Sequence, residues 1–351
     1  PNFLMILENT GNEIIRTILE VLVLSSGPIA IVPHSNPDGD AIGSAYGLGL
    51  VLKNAGKEVF IITPNDYPDF LAWLNGELEI INYLKRKNTA EAILKRCKVM
   101  FCVDFNEIGR ADEMEKTIAA FQGTKILVDH HPDPTPFCDL MVSEPAYSSS
   151  AELVYDLVVA LGLEGFICRK AAEALYTGIM TDTGSFSYST SRPELYRVLS
   201  ALVAFGIDTA AIHSLVYDNF SADRMRLMGF CLQQKMVVLP EFRTAYIFLS
   251  RDELKMFNFV PGDTEGFVNI PLSIRNIVFS ALFIEKEHVV KASFRSKGSF
   301  PANAFAASHF NGGGHLNAAG GDDKDTLVNV VEKFTQLLPA YLHLLENADK
   351  K

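Results

Sequence analysis

The stretch His34-Ser35-Asn36-Pro37-Asp38-Gly39-Asp40-Ala41-Ile42-Gly43-Ser44 decides how this chain of 351 residues is read. An apolar run, Ile29-Ala30-Ile31-Val32, leads into it. A short β-branched run closed by Pro and Gly reads as a buried strand. Ala41 to Ala55 follows, with small residues on its first turn, and reads as a helix. The stretch therefore occupies a strand-to-helix turn, and in an open α/β sheet ligands gather at the carboxyl ends of strands. One imidazole and two carboxylates lie within seven residues here. Such donors repel or desolvate one another unless a divalent cation joins them. A capping role for Asp40 in a polar Asp-Gly turn is the plainer reading of this stretch taken alone. It loses ground because the same chemistry recurs along the chain.

Glu58 to Thr63 reads as a second strand, and Asp66 to Leu84 as irregular and then helical. Val99-Met100-Phe101-Cys102-Val103 reads as a third strand, ended by Asp104, with Asn106 and Arg110 beyond it. Lys125-Ile126-Leu127-Val128 reads as a fourth, ending in Asp129-His130-His131-Pro132. Adjacent histidines cannot face one way in a regular strand, but a turn can present both. Ser148 to Leu161 has serine caps and Glu152 in its first turn and reads as a helix. A helix over Arg169 to Met180 runs into Thr181-Asp182-Thr183-Gly184, where Gly184 breaks it. The donors His34, Asp38, Asp40, Asp104, His130 and Asp182 are rich in carboxylate, include imidazole and lack thiolate. That set suits Mn²⁺ or Mg²⁺ better than a structural zinc. It exceeds one ion's needs, and two ions about 3.5–4 Å apart sharing a carboxylate would use it all.

The remainder frames this centre. Hydrophobic residues make up 48% and charged residues 21%, an ordinary globular composition long enough for two domains. A net charge of −11 argues against coating long duplex nucleic acid, where phosphate neutralisation drives affinity. It leaves room for a short anionic substrate held by metals and a local basic patch. The five cysteines form no CxxC pair, so neither a disulfide framework nor a zinc site is expected. No apolar stretch reaches the length of a membrane span, and no basic-then-apolar leader is visible. A cytoplasmic location and no membrane partner are expected. Residues 3 to 24 have apolar positions at helical spacing, and the single Trp73 reads as packing.

Residues 187 to 218 read as helical, and residues 219–240 as a helical connector. Beyond it, Thr244–Leu249, Val278–Ile284 and Val289–Phe294 read as strands, and Ala302–Phe310 and Leu327–Leu345 as helices. The expected architecture is α/β: residues 1–218 with a mainly parallel sheet flanked by helices, then a smaller α+β domain over 241–351. Between Arg275 and Lys297 there are five Lys/Arg against two Glu, reversing the overall sign. Arg295-Ser296 closes a strand, and Asn311-Gly312-Gly313-Gly314-His315 follows. Consecutive glycines let backbone N–H groups converge on an anion. With Arg295 and His315 the segment reads as a clamp for a phosphate or nucleotide end.

His34-x-x-x-Asp38-x-Asp40, Asp104, Asp129-His130-His131 and Thr181-Asp182-Thr183-Gly184 resemble, in order and context, the four motifs of the DHH phosphoesterase superfamily. Gly312 to Gly320, and Gly262-Asp263-Thr264-Glu265-Gly266-Phe267-Val268-Asn269, resemble the DHH-associated C-terminal domain. With both parts, the chain is similar to the NrnA-like group. Its members degrade short oligoribonucleotides and dephosphorylate 3′-phosphoadenosine 5′-phosphate (pAp), and many are described as exopolyphosphatase-related. The resemblance implies two divalent ions, Mn²⁺ first with Mg²⁺ or Co²⁺ as alternatives, and attack by hydroxide on phosphorus. It implies His34 and Asp38 on one ion, Asp40, His130 and Asp182 on the other, and Asp104 between them. His131 is then expected at a phosphate or leaving-group oxygen, Asp129 behind a histidine, and Arg110 on the phosphate. Arg295, Ser296, Gly313, Gly314 and His315 are expected on the nucleotide end. Substrates are expected to be short RNA or a mononucleotide bisphosphate, and the protein a monomer or homodimer. A pyrophosphatase or polyphosphatase, a cyclic-dinucleotide phosphodiesterase and a non-catalytic nucleotide-binding protein are the alternatives.

Overall fold

The computed structural model describes residues 12–349. The chain divides into two compact units, Pro1–Asn219 and Phe220–Lys351. In the first, the described residues begin with helix α1 (Asn12–Leu24); residues 3–11 of the helix expected over 3–24 lie outside the described residues. Strand β1 (Ile29–Pro33) and helix α2 (Gly39–Asn54) flank the stretch quoted above. Then come β2 (Val59–Thr63), β3 (Ile80–Asn82), α3 (Lys87–Arg96), β4 (Val99–Val103), α4 (Glu115–Ala119), β5 (Thr124–Asp129) and β6 (Leu140–Ser143). Helices α5 (Ser150–Ala160), α6 (Arg169–Asp182), α7 (Pro193–Val203) and α8 (Thr209–Tyr217) complete the unit.

All six strands are parallel, in the order β3-β2-β1-β4-β5-β6. The chain builds outward from β1 to one edge and then resumes at β4 on β1's other side. The point of reversal therefore lies between β1 and β4, which is where a doubly wound sheet opens a crevice. Alternation along the strands feeds two cores. Ile29, Ile31, Val99, Phe101, Val103, Ile126 and Val128 face one side with α2, α5, α6 and α7. Ala30, Val32, Met100, Cys102 and Leu127 face the other with α3 and α4. Burial on both faces explains why these strands read as continuous apolar runs. The sequence reading passed over β6, and it had the β3 segment as irregular then helical. Both are edge strands of three or four residues, too short to show a period. They form because neighbouring strands offer hydrogen-bonding edges, as where Ile80 pairs with Ile61 and Val142 with Val128. Trp73 packs against the first core.

The second unit contains α9 (Ala222–Phe230), β7 (Met236–Leu239), β8 (Thr244–Leu249), α10 (Arg251–Met256), β9 (Phe279–Glu285), β10 (Val290–Ser296), α11 (Ala302–His309), β11 (Gly313–His315), β12 (Ala318–Asp323) and α12 (Leu327–Asn347). Its sheet runs β11-β12-β10-β9-β8-β7, antiparallel except for the β8–β9 pair. The helical reading of 219–240 is corrected at its end. After α9 and one π-helical turn at Cys231–Lys235, Met236–Leu239 is strand, because its backbone pairs with β8 from Met236–Ile247 to Leu239–Thr244. Phenylalanines 279, 283, 294, 300, 305, 310 and 334 fill one core of this unit. Among the described residues no helix is long and apolar enough to cross a membrane.

Candidate metal centre

The register of the sheet assembles the donors. Pro33 pairs with Val103, and Val103 with Val128, so His34, Asp104 and Asp129 are successive residues at the carboxyl edge of three adjacent strands. Neighbouring strands are about 4.8 Å apart, within the span of one carboxylate between two donor groups. Asp104 leaves β4 with φ at 66°, a left-handed conformation that Asp tolerates better than most residues. Its ring-stacked neighbour Phe105 anchors the turn against Phe137, with centroids 5.5 Å apart.

Two donor groups result. In the first, His34 Nε2 is 3.9 Å from Asp38 Oδ1 and 3.4 Å from Asp104 Oδ2. In the second, His130 Nε2 is 3.8 Å from Asp40 Oδ2, 3.4 Å from Asp182 Oδ2 and 3.7 Å from Asp104 Oδ1. One atom from each of His34, Asp38 and Asp104, and likewise from each of Asp40, His130 and Asp182, lie within 4.8 Å of one another. Asp104 turns one oxygen to each group.

Helix packing brings in the donors that no strand carries. Asp38 caps α2, its Oδ1 accepting from the Asp40 and Ala41 amides at 3.0 and 3.1 Å. Asp40 sits on the first turn of α2 and Asp182 at the end of α6. Gly39, Gly43 and Gly47 line the α2 face against α6. A Cβ at Gly43 would lie 2.5 Å from the Ala174 carbonyl oxygen and 2.8 Å from the Gly178 nitrogen. Only glycine permits that approach.

Tautomers show what the site is built to hold. His34 Nδ1 is 2.9 Å from the Ser35 carbonyl and His130 Nδ1 is 3.3 Å from the Tyr147 carbonyl. A carbonyl oxygen can only accept, so Nδ1 carries the hydrogen in each ring and Nε2 faces the carboxylates. Carboxylate oxygens and bare imidazole nitrogens are all acceptors, and a cation reconciles them. Without one the site gathers protons. Burial opposes charging His34, but Asp104 and Asp38 outweigh it and raise its pKa. Burial likewise opposes charging His130, and Asp182, Asp104 and Asp129 raise it. Burial, with the charges of Asp104, Asp182 and Asp38, holds the Asp40 carboxyl well above the usual range. Asp104 goes the other way: burial is overcome by the bond to His34 and the charges of His131, His34 and His130, which lower it. Hard oxygens with two imidazoles and no thiolate fit a divalent cation of the Mn²⁺ or Mg²⁺ kind.

Asp129 is fully buried and its Oδ1 accepts from His131 Nδ1 at 2.7 Å, while that nitrogen lies 3.7 Å from Asp104 Oδ1. Arg110 sits half-buried in the 3₁₀ segment Ile108–Met114, its carbonyl accepting from the Ser35 amide at 2.7 Å. Its charge opposes protonation of His34. Asn106, named only in passing from sequence, donates from Nδ2 to the Pro132 carbonyl at 2.7 Å and ties the β4 and β5 turns together.

The sequence reading missed a shell behind the donors. Ser150 Oγ donates to Asp104 Oδ1 at 2.9 Å, and the Ser150 and Ala151 amides donate to the two oxygens of Asp40 at 2.6 and 2.8 Å. The serine-rich run before α5 was visible, but only as a cap. That its amides serve an aspartate 110 positions earlier has no local signal.

In the second unit Arg295 and Ser296 end β10, and Arg295 Nη1 donates to the Phe294 carbonyl. Ser296 Oγ donates to the Phe300 carbonyl at 2.7 Å and accepts from Asn317 Nδ2 at 2.8 Å, which closes the turn. Gly313, Gly314 and His315 form edge strand β11, paired with Gly320, Ala319 and Ala318. Gly314 within it and Gly312 just before it answer close backbone approach: an added Cβ would meet the Ala318 carbonyl oxygen at 2.5 Å and the Gly320 carbonyl oxygen at 1.9 Å, respectively.

The chain is similar to known proteins. The DHH family N-terminal domain matches residues 28–179, and the DHHA1 domain matches residues 248–344. The bifunctional oligoribonuclease and PAP phosphatase NrnA of Thermus thermophilus is 30% identical over 308 residues, covering 88% of each chain. Its namesake in Bacillus subtilis is 29% identical over 315 residues, 88% of this chain and 91% of that one. The crystal structure of an exopolyphosphatase-related protein from Bacteroides fragilis superimposes with a TM-score of 0.91 at 42% identity, covering 95% of this chain and 98% of the other. The chain therefore belongs to the DHH family of phosphoesterases, in the NrnA-like group that joins a DHH domain to a DHHA1 domain.

Proposed function

We propose that this hydrolase cleaves short oligoribonucleotides and 3′,5′-bisphosphonucleotides such as pAp, with two Mn²⁺ ions as cofactor. His34 and Asp38 hold one ion, Asp40, His130 and Asp182 the other, and Asp104 serves both. The observation that carries this reading is the pair of imidazole Nε2 atoms, each fixed by a backbone carbonyl, facing opposite oxygens of one carboxylate. When bound, such ions neutralise phosphate oxygens and lower the pKa of water to about 7. The chain's own residues orient and exchange protons. Asp129 keeps the hydrogen on His131 Nδ1, and His131 Nε2 serves the phosphate or leaving-group oxygen. Arg110 adds positive charge beside His34 for the phosphate. Catalysis belongs to the first unit; Arg295, Ser296, Gly313, Gly314 and His315 of the second take the nucleotide end.

The named activities of the NrnA relatives support this choice of substrates. The 42% identical exopolyphosphatase-related structure favours polyphosphate as the second reading. One assay separates them: protein with Mn²⁺ is offered RNA dinucleotides, pAp, pyrophosphate, polyphosphate and a cyclic dinucleotide side by side. Dinucleotides and pAp are expected to turn over fastest. Preference for polyphosphate or a cyclic dinucleotide overturns the substrate reading. Excess chelator is expected to abolish activity, and Mn²⁺ to restore it better than Zn²⁺ because the donors are mainly hard oxygens. Undiminished turnover by metal-free protein overturns the cofactor reading.

A further inference from the structure

We infer that Ser150 is a positioning residue of the metal centre, its hydroxyl and its backbone amide setting Asp104 and Asp40 relative to each other. Ser150 is fully buried at the first position of α5. Its hydroxyl donates to Asp104 Oδ1, the oxygen turned to the His130 group. Its own amide and that of Ala151 grip both oxygens of Asp40. Two unpaired N–H groups at a helix start are the ones a helix leaves unsatisfied, and they carry the positive end of its dipole. Asp40 is therefore held in orientation through both of its oxygens. A carboxylate that serves two donor groups can also rotate away from either, and a 2.9 Å bond to a buried hydroxyl removes that freedom.

The start of α5 is itself fixed, which is what makes it a rigid reference. Ser149 Oγ accepts from the Glu152 amide at 3.0 Å, and Glu152 Oε2 accepts from the Ser148 amide and hydroxyl, each at 2.8 Å. Arg192 Nη1 lies 3.3 Å from Glu152 Oε1 and donates to the Ala146 carbonyl at 2.9 Å, its guanidinium 4.5 Å from the Tyr147 ring centre. Tyr147 in turn donates from its hydroxyl to Asp156, which also accepts from Arg197 at 2.6 Å. The Tyr147 carbonyl is the group that fixes His130. Residues 146–156 thus hold three donors at once, Ser150 two of them and the Tyr147 carbonyl the third.

This inference rests on the metal-centre reading, and one titration separates the two. Metal-free wild type, Ser150→Ala and Ser150→Gly are titrated with Mn²⁺ by calorimetry, and the melting temperature of each metal-free protein is recorded. Wild type is expected to take two ions. Both variants are expected to bind at least one of them about tenfold to a hundredfold more weakly, the usual effect of losing an outer-sphere partner. Their metal-free melting is expected to stay near wild type, a split that a merely structural serine would not produce. Unchanged Mn²⁺ affinity in either folded variant overturns the positioning role. A loss of affinity matched by an equal loss of metal-free stability overturns it too. Failure of wild type to bind Mn²⁺ overturns the metal-centre reading itself. Ser150→Gly keeps the comparison open if Ser150→Ala does not fold, since it adds no atom to the buried site.

Discussion

Asp104 is the carboxylate common to both donor groups. It faces both donor groups, and it does so from a left-handed backbone conformation. Asn tolerates that conformation and keeps the shape but not the charge, so Asp104→Asn isolates the carboxylate. Its kcat/KM on pAp is expected to fall by more than the about tenfold to hundredfold typical of an outer-sphere partner, and by more than for Asp38→Ala. Retention of near wild-type turnover means that Asp104 is not shared. His131 tests a different function. His131→Ala is expected to lower kcat by about 10²–10⁴-fold, the range for a group that moves a proton in the transition state. The loss should appear on every substrate, including a small chromogenic phosphodiester.

At the scale of elements, the α2–α6 contact places Asp40 and Asp182 in one group. Thr181, Gly178, Ala174 and Leu175 lie against Gly39, Gly43 and Gly47. At Gly43 the clash of an added methyl is with backbone on all three nearest atoms, so no side chain can swing aside. Overpacking of this kind costs about 1–3 kcal/mol. A unit of this size loses about 2–4 °C of melting temperature per kcal/mol. Gly43→Ala is therefore expected to melt about 2–12 °C lower and to bind Mn²⁺ more weakly, because the helices that carry the two acids move apart. Unaltered melting would show that α6 can shift without cost.

Over the whole molecule, the proton inventory of the metal-free protein sets its pH behaviour. His34 and His130 are raised above the ordinary histidine value, so the stability they contribute is present below pH 6.5 and is lost as pH rises through their folded values. Asp40, raised by burial first, also loses stability as pH rises above the ordinary carboxylate range. Asp104 works in the opposite sense but below that range. Metal-free protein is therefore expected to melt lower at pH 8 than at pH 6. Saturating Mn²⁺ should flatten this dependence, and binding should release protons, seen as a buffer-dependent heat. A metal-free melting temperature that climbs from pH 6 to 8 contradicts the proton-gathering account. The proposed role of Arg295 gives the last expectation. A charge-assisted contact contributes about 1.5–3 kcal/mol, so Arg295→Ala should weaken kcat/KM for pAp about tenfold to a hundredfold, mostly through KM. The small chromogenic phosphodiester should be nearly unaffected. Equal losses on both substrates assign Arg295 to folding or chemistry instead.

The four motifs, the strand-to-helix turn that carries the first of them and the parallel character of the sheet were legible in the chain itself. Each depends on short-range physics: apolar runs buried on both faces, Pro and Gly ending them, and acids or histidines placed at the next residue. The grouping of His34 with Asp104 was legible as chemistry but not as distance. That came from strand order and register, which put Pro33 opposite Val103. Strands β3 and β6 were illegible because a strand of three or four residues is made by its neighbour's free hydrogen-bonding edge. That Gly313 and Gly314 enter an edge strand was not legible either, since the pairing is made by β12, and Gly312 and Gly314 answer backbone that lies across from them. Ser150 shows the limit most clearly. Its sequence context announces a helix start and nothing more, and only the tertiary fold brings Asp40 and Asp104 to that helix's unsatisfied amides and hydroxyl.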